Sequence, residues 1–173
     1  FRDFAHQARI WNAKFRGERP MFDAEGRTLN VGTMSDAERV AAILMWSALP
    51  GASRHHWGTE IDVIDRAALA PGYRPQLLPV EYQAGGPFAA LNDWLEAHMQ
   101  EFGFFRPYRT DRGGVRPEPW HLSYAPVSVA AQRAVTPEVL SAALDAEQVL
   151  GREVVRSRLA EIHERYVSNV DAP

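Results

Sequence analysis

Two prolines flank an acid in the segment Arg116-Pro117-Glu118-Pro119-Trp120-His121. Each proline fixes its own φ at about −65° and pushes the residue before it toward extended geometry. Glu118 and His121 therefore do not share a helix, and a metal-binding helix with two histidines on one face is excluded for this segment. From Trp120 to Tyr124 apolar and polar residues alternate, and this period of two predicts a strand with two distinct faces.

A second group of histidines and acids lies about 60 residues earlier, between Ser53 and Asp62. The chain contains no cysteine, so any metal must rest on His, Asp or Glu. A catalytic zinc site needs three protein ligands and one open position, and His55, Asp62 and His121 meet that count. Glu118 is then left over as the general base that deprotonates the attacking water and protonates the departing amine.

The spacing of this second group does not decide which histidine is the ligand. Ile61, Val63 and Ile64 predict a short strand with Asp62 on the opposite face. Gly58 can break the alternation between that strand and the preceding histidines, so parity does not distinguish His55 from His56. Residues 66–86 hold three prolines and three glycines and are expected to form one wall of a cleft.

Apolar periodicity predicts helices on both sides of these segments. Apolar residues recur every three or four positions over Asp3–Phe15, and Ser35 with Glu38 forms a capping box before a helix that runs to about Leu49. A third helix is predicted over 88–99, ended by Gly103. The predicted tail begins at Thr136-Pro137-Glu138, breaks at Gly151, and then carries an apolar stripe that should pack against the rest of the chain: Val155, Leu159, Ile162 and Tyr166.

Charge and hydropathy exclude two classes of partner. The net charge is −3, from 19 basic and 22 acidic residues, so no positive field is present to attract nucleic acid. No apolar run approaches the roughly 20 residues of a membrane-spanning helix. The chain starts at Phe1 without a Met, which is typical of a processed or truncated form whose export signal, if it had one, would already be gone.

The motif Ser53-x-His55-x-x-Gly58-x-x-x-Asp62, followed by Glu118-x-x-His121, resembles the signature of the zinc D-alanyl-D-alanine carboxypeptidases and dipeptidases, which include the VanY-type enzymes. The resemblance implies that the first His, the Asp and the last His of the motif bind zinc and that the Glu is the base. It therefore favours His55 over His56 as the ligand.

The start of the chain, Phe1–Gln7, resembles the Tyr-Arg-Ser-x-x-x-Gln element of the same family, with Phe1 and Asp3 in place of the Tyr and Ser. The resemblance implies that Arg2 holds the scissile carbonyl and its oxyanion. It also implies that Gln7 and Ser53 place the backbone and terminal carboxylate of the substrate. Trp120, next to a proposed ligand, either packs in the core or lines the substrate cleft.

One position departs from the family pattern. The family usually has Ala two residues before the Asp ligand, whereas this chain has Glu60. We expect this additional acid either to point to solvent or to contact a basic group of the substrate.

The resemblance implies an α+β fold of the hedgehog/DD-peptidase type, with a small, mainly antiparallel sheet surrounded by helices and zinc at one end of the sheet. The chain is expected to form a single zinc peptidase domain over residues 1–173, with the catalytic segments in 1–124 and a helical tail in 136–168. The implied substrate is a peptidoglycan stem peptide ending in D-Ala-D-Ala, in the periplasm or cell envelope of a bacterium.

Two alternative functions remain open at this point. A cell-wall endopeptidase of the L-alanyl-D-glutamate lysin type would use the same zinc site and differ only in the walls of the cleft. A peptidoglycan-binding module without catalysis is the alternative from another class, and the presence of Glu118 beside a full ligand set argues against it. The sequence does not predict the oligomeric state.

Overall fold

The computed structural model describes residues 1–146 and 148–173, in which seven α-helices surround a sheet of three short strands. The strands are β1 (Glu60–Asp62), β2 (Phe104–Phe105) and β3 (His121–Tyr124), and the sheet has the order β1-β3-β2 with both pairs antiparallel. The helices are α1 (Phe4–Phe15), α2 (Asp36–Trp46), α3 (Ala89–His98), α4 (Ala125–Ala134), α5 (Pro137–Ala146), α6 (Arg152–Ser157) and α7 (Leu159–Ile162).

Short 3₁₀-helical and π-helical turns lie between or next to these elements. Single 3₁₀ turns cover Val31–Thr33, Arg54–Trp57, Pro79–Tyr82 and Met99–Phe102, and a π-helical turn over His163–Ser168 continues α7. The small antiparallel sheet with helices around it confirms the predicted α+β class. Among the residues that the structure describes, each helix is too short or too polar to cross a membrane.

The helix starts follow the capping residues in the sequence. The Asp3 carboxylate accepts a hydrogen bond from the His6 amide at 2.6 Å and caps α1. Ser35 and Glu38 form the predicted capping box of α2, with the Glu38 carboxylate 2.8 Å from the Ser35 amide. The end of α2 was predicted too late, because the chain turns extended at Ser47, whose hydroxyl accepts a hydrogen bond from Lys14.

The strand and helix boundaries near the site differ slightly from the sequence prediction. Strand β1 runs from Glu60 to Asp62, so it starts one residue before the predicted strand of Ile61, Val63 and Ile64 and ends before Val63. Strand β3 starts at His121 instead of Trp120. The sequence patterns did not predict β2 or α4. β2 has only two residues, too few for a period of two to be recognised.

The main hydrophobic core joins the first two helices to the helical tail. Trp11 of α1, Ile43 of α2 and Leu140 of α5 are at most 1% exposed and belong to one cluster. The predicted stripe of the tail packs against this cluster, with Val155 and Ile162 buried and Leu159 and Tyr166 partly buried, which confirms that interpretation. Smaller clusters cover the sheet, and in one of them Leu122 lies on the face of β3 opposite His121.

Candidate metal centre and catalytic cavity

His55, Asp62 and His121 lie together at one end of the sheet. One ligand atom from each residue lies within 4.8 Å of the other two. Asp62 is between the two imidazoles: its carboxylate oxygens are 3.5 Å from His55 Nε2 and 3.3 Å from His121 Nδ1. The three ligands predicted from the sequence are therefore brought together by the fold.

The local backbone explains how these residues meet. Asp62 and His121 are register partners in the antiparallel pair of β1 and β3, so their side chains share one face of the sheet. His55 belongs to the 3₁₀ turn Arg54–Trp57, and Gly58 follows in a left-handed conformation with φ of 72° that reverses the chain into β1.

His56 has different partners and lies outside the cluster. Its Nε2 accepts a hydrogen bond from the Gly51 amide at 3.2 Å, and its Nδ1 is 2.6 Å from the Arg2 carbonyl oxygen. Because Nε2 accepts, Nδ1 carries the proton and donates to Arg2. Both ring nitrogens are used in fixing the backbone, so the geometry favours His55 as the ligand.

The charges of the cluster are mutually stabilised. Burial alone would raise the pKa of Asp62, but hydrogen bonds from His121 and His55 outweigh it and hold that pKa well below its usual range. Burial disfavours the charged form of His121, yet its hydrogen bonds to Asp62 and Glu60 raise the pKa of the imidazole to about 9. In the metal-free protein, the imidazole of His121 therefore carries a positive charge that balances the carboxylates of Asp62 and Glu60.

Glu118 adjoins this cluster without belonging to it. Its Oε2 lies 3.5 Å from His121 Nδ1, and the side chain is 13% exposed. The Glu118 amide donates to the Tyr108 carbonyl at 2.9 Å, and its own carbonyl accepts from the His121 amide at 3.1 Å, so a tight turn fixes the acid. Burial raises the pKa of Glu118 to about 7, the Asp62 charge adds to this shift, and His121 opposes it.

A cavity of about 430 Å³ opens over the cluster. The predicted site residues Arg2, Ser53 and Trp120 line it together with the three cluster residues and Glu118. Further walls come from α1, from the loop after it, from the end of α2 and the residues that follow, and from the segment 66–86 that was predicted as a cleft wall: Ile10, Lys14, Arg19, Phe22, Trp46, Ser47, Ala48, Gln76, Leu77 and Leu78.

Gln7 lies behind Arg2 and does not line the cavity. It is 1% exposed, its Oε1 accepts a hydrogen bond from Arg2 Nη1 at 2.9 Å, and its Nε2 donates to the Ala48 carbonyl at 2.7 Å. These contacts hold the Arg2 guanidinium at the cavity wall. The direct contact of Gln7 with substrate stays a prediction.

Ser53 and Trp120 are both buried at the cavity wall, at 2% and 5% exposure. Trp120 also packs against Tyr82, with ring centroids 5.7 Å apart, in a cluster with Phe88. Of the two interpretations of Trp120, core packing and cleft lining, the structure therefore supports both at once.

The expectation for Glu60 was wrong. Its side chain is fully buried and points neither to solvent nor to the cavity, because its carboxylate pairs with His121, Ser123 and Arg54 inside the protein. Glu60 Oε2 lies 2.8 Å from His121 Nε2, and Ser123 donates to Oε1 at 2.7 Å.

Lys14 is a cavity residue that the sequence analysis missed. It lies on α1, its Nζ donates to Ser47 Oγ at 2.5 Å, and Arg2 and Arg19 line the same cavity. Burial lowers the pKa of Lys14 to about 8, and the nearby Glu118 carboxylate opposes the shift only in part. Its spacing of seven residues from Gln7, two helical turns, was the available signal.

The family of the chain follows from its match to a family model. The model described as D-alanyl-D-alanine carboxypeptidase, VanY, matches residues 1–127. The chain belongs to the VanY family. This match covers all the predicted site residues and ends within α4, so the helical tail lies outside it.

Individual relatives differ in how much of the VanY-family chain they cover. A protein of Haemophilus influenzae described as uncharacterized is 38% identical over 121 residues, which are 69% of this chain and 92% of that protein. A D-alanyl-D-alanine carboxypeptidase of Enterococcus faecalis is 28% identical over 102 residues, 56% of this chain but only 31% of that protein.

One solved structure is also similar. It is the crystal structure of a mutant of the vancomycin resistance D,D-pentapeptidase VanY from a VanB-type resistance cassette, in complex with Zn(II). The sequence identity is 26%, the TM-score is 0.45, and the match covers 83% of this chain and 67% of that chain.

The residues present fit a zinc ion. Two imidazole nitrogens and one carboxylate oxygen form the donor set of catalytic zinc sites, which keep one position open. The second ring nitrogen of His121 already has a carboxylate partner in Glu60, as metal-binding histidines usually do. His55, Asp62 and His121 are thus suited to hold the metal, and Glu118 is free for another role.

Proposed function

We propose that this VanY-family chain is a zinc-dependent D-alanyl-D-alanine carboxypeptidase that hydrolyses the terminal D-Ala-D-Ala bond of peptidoglycan stem peptides. The observation that carries the proposal is Glu118, a largely buried acid that adjoins a complete set of three ligands without belonging to it. A structural metal site has no need of such an acid, whereas hydrolysis needs a base beside the metal. Membership of the family supports the substrate class.

The proposed ligands are His55, Asp62 and His121. A bound Zn²⁺ would supply the Lewis acid that polarises the scissile carbonyl and acidifies the attacking water. With the metal bound, the ligand set would be two neutral imidazoles and one anion, which would leave net positive charge where negative charge develops during hydrolysis.

Glu118 is the proposed general base and acid. Its pKa of about 7 in the metal-free chain is close to the value at which a carboxylate accepts and returns a proton efficiently at neutral pH. A divalent cation nearby favours the ionised form, so Glu118 is ready to take a proton from the attacking water. The same carboxyl group then protonates the amine of the departing D-alanine.

Arg2 is the proposed partner of the scissile carbonyl oxygen. Its guanidinium lines the cavity, Gln7 fixes one of its nitrogens at 2.9 Å, and His56 fixes its backbone carbonyl. A donor held in advance at the place where the oxyanion forms lowers the barrier without reorganisation. The buried Gln7 and the partly buried His56 behind Arg2 explain how a residue at the start of the chain is held there.

The cavity has a positive side that suits the free carboxylate at the end of a peptide. Arg2, Lys14 and Arg19 line it, and Ser53 adds a hydroxyl near the metal ligands. A free terminal carboxylate pairs with these groups, whereas the interior bond of a longer peptide has no such charge. This charge distribution favours cleavage at a terminal bond over the endopeptidase alternative.

We also propose that the protein acts in the periplasm or cell envelope of a bacterium, where the proposed substrate is accessible. We also propose that residues 1–173 act as one peptidase domain. The tail shares the main hydrophobic core with α1 and α2, and Trp11 Nε1 donates to the Leu150 carbonyl at 2.9 Å.

The test is a digest of defined stem peptides by zinc-loaded protein, followed by mass spectrometry. We expect release of a single D-alanine from a pentapeptide ending in D-Ala-D-Ala, and no release from the same peptide with an amidated C-terminus. Intact sacculi serve as the substrate for the endopeptidase alternative. Cleavage inside the stem, or cleavage of the amidated peptide at the same rate, would contradict the carboxypeptidase proposal.

A further inference from the structure

A buried carboxylate lies behind the imidazole of His121, on the side away from Asp62. Glu60 Oε2 is 2.8 Å from His121 Nε2, and both side chains are at most 4% exposed. The other ring nitrogen, Nδ1, lies 3.3 Å from a carboxylate oxygen of Asp62 and 3.5 Å from one of Glu118. The two nitrogens of this imidazole therefore face different groups, one inside the core and one at the candidate metal site.

The sheet register creates this arrangement. Glu60 pairs with Ser123 and Asp62 pairs with His121, so all four side chains lie on one face of the sheet. Glu60 is the diagonal neighbour of His121 across the strands, within reach of a long side chain. Glu60, two residues before Asp62, can therefore reach the ring nitrogen of His121 that faces away from the candidate metal site.

The other contacts of Glu60 determine which group donates the proton. Ser123 Oγ donates to Oε1 at 2.7 Å, Thr59 Oγ1 donates to the same oxygen at 3.1 Å, and Arg54 Nε lies 3.4 Å from Oε2. Two hydroxyl groups donate to the carboxylate and the Arg54 guanidinium adds a positive charge beside it, so Glu60 is ionised and acts only as an acceptor. His121 must then donate through Nε2–H, so Nδ1 is the nitrogen that would lose its proton and bind a metal.

We propose that Glu60 is a positioning residue of the metal centre, which fixes the ring orientation and the Nε2–H tautomer of His121. This inference rests on the proposed zinc site and adds a residue outside the ligand set. The family motif described above has Ala at this position, so the motif itself does not specify this contact. Partners that orient a metal-binding histidine typically contribute 10–100-fold to metal affinity.

The competing interpretation is that Glu60 only neutralises Arg54 in the core. Arg54 is 3% exposed, stacks on Trp57 at 4.6 Å, and donates through Nη2 to Ser123 at 2.7 Å. In that case loss of Glu60 would lower stability and leave the metal untouched. Zinc affinity and the tautomer of His121 separate the two interpretations, because a purely structural role changes neither.

The first measurement is the zinc dissociation constant by competition with a chelator, for wild type and Glu60→Gln. Gln keeps the shape of the side chain but weakens its hold on the imidazole, so we expect affinity to fall about 10–100-fold. Glu81→Gln is the matched control. Glu81 is also 3% exposed and accepts hydrogen bonds from Tyr73 at 2.7 Å and from Leu78 at 2.9 Å, and none of its hydrogen-bond partners is a proposed ligand. This control should lose stability and keep its zinc affinity.

The second measurement needs no variant. Nitrogen-15 NMR of zinc-loaded wild type should find a protonated Nε2 and a metal-bound Nδ1 in His121. The opposite assignment would overturn the proposal even if Glu60→Gln fails to fold. Zinc affinity of Glu60→Gln within threefold of wild type would also overturn it. Zinc binding by wild type without D-alanine release would instead contradict the proposed function alone, and absence of zinc binding by wild type would contradict both.

Discussion

Glu118 Oε2 and His121 Nδ1 lie 3.5 Å apart, so the candidate base is next to a candidate ligand atom without sharing its position. The Pro117-Glu118-Pro119 segment makes this possible. Each proline favours extended geometry at the residue before it, so the acid precedes the strand without joining it. The following turn is closed by a hydrogen bond of 3.1 Å from the His121 amide to the Glu118 carbonyl. Base and ligand are thus fixed by the same turn, and their roles can be separated by substitution.

Glu118→Gln should remove turnover and keep the metal. The substitution deletes the proton acceptor but leaves His55, Asp62 and His121 in place. We expect D-alanine release to fall by about 10²–10⁴-fold, the usual contribution of a positioned base. The measurement is D-alanine release beside zinc stoichiometry in the same sample. Near-normal release would contradict the base assignment, and loss of zinc would make Glu118 a ligand.

The raised pKa of Glu118 predicts a pH effect on the stability of the metal-free chain. Glu titrates near 4.3 when unfolded, whereas burial raises the folded value to about 7. Between these two pH values Glu118 is protonated in the folded chain and ionised in the unfolded chain. The free energy of unfolding therefore decreases as pH rises from about 4.3 to 7. Glu118→Gln stays neutral and should gain stability relative to wild type with rising pH, by at most roughly 4 kcal/mol at pH 8.

Denaturant unfolding of chelator-treated protein at pH 5 and pH 8 measures this effect. Glu81→Gln is a control of opposite sign. Burial opposes ionisation of Glu81, but hydrogen bonds from Tyr73, Leu78 and Gln76 outweigh it and lower the pKa of the folded state, so this variant should lose stability at pH 8. A Glu118→Gln advantage that is the same at both pH values would mean that the acid is solvated in the folded chain.

The two adjacent histidines should respond differently to replacement. His55→Ala removes a proposed ligand and should lose stoichiometric zinc. His56→Ala should keep zinc but lose the links to Gly51 and Arg2, which together stabilise the fold by about 1–3 kcal/mol. Elemental analysis and thermal unfolding of both variants provide the test. Loss of zinc from His56→Ala alone would reverse the ligand assignment.

The three predicted ligands do lie together in the structure, and part of that prediction rested on local signals. Strand parity put Asp62 on its own face, and the prolines excluded a helix around Glu118. The choice between His55 and His56 was not local, because it depends on a 3₁₀ turn and on the left-handed Gly58 that follows it. Only the motif resemblance favoured His55 before the structure was known.

Glu60 was misjudged for a related reason. An isolated acid on a short strand is expected at the surface, since burying a charge is costly unless it is paired. The pairing comes from Arg54, itself buried, and from Ser123, 63 residues away in sequence. No periodicity reports such a long-range partner, so the sequence gives no sign that the acid points inward.

Lys14→Met should weaken binding of substrates that have a free terminal carboxylate. A hydrogen bond to a charged group contributes about 1.5–3 kcal/mol, so KM for the pentapeptide should rise by one to two orders of magnitude while kcat changes less. Arg9→Met is the control, because Arg9 lies exposed on the same helix and outside the cavity lining. The amidated pentapeptide should bind wild type and Lys14→Met equally poorly.

The pH dependence of KM tests the same residue in wild type. Burial lowers the pKa of Lys14 to about 8, so the ammonium loses its proton as pH rises through that value and the positive side of the cavity weakens. KM of wild type should therefore rise above pH 8, whereas KM of Lys14→Met should already be high and stay level over the same range. Steady-state kinetics between pH 6.5 and 9.5 measure both. An identical rise in the two proteins would assign the titration to another group and remove Lys14 from the carboxylate site.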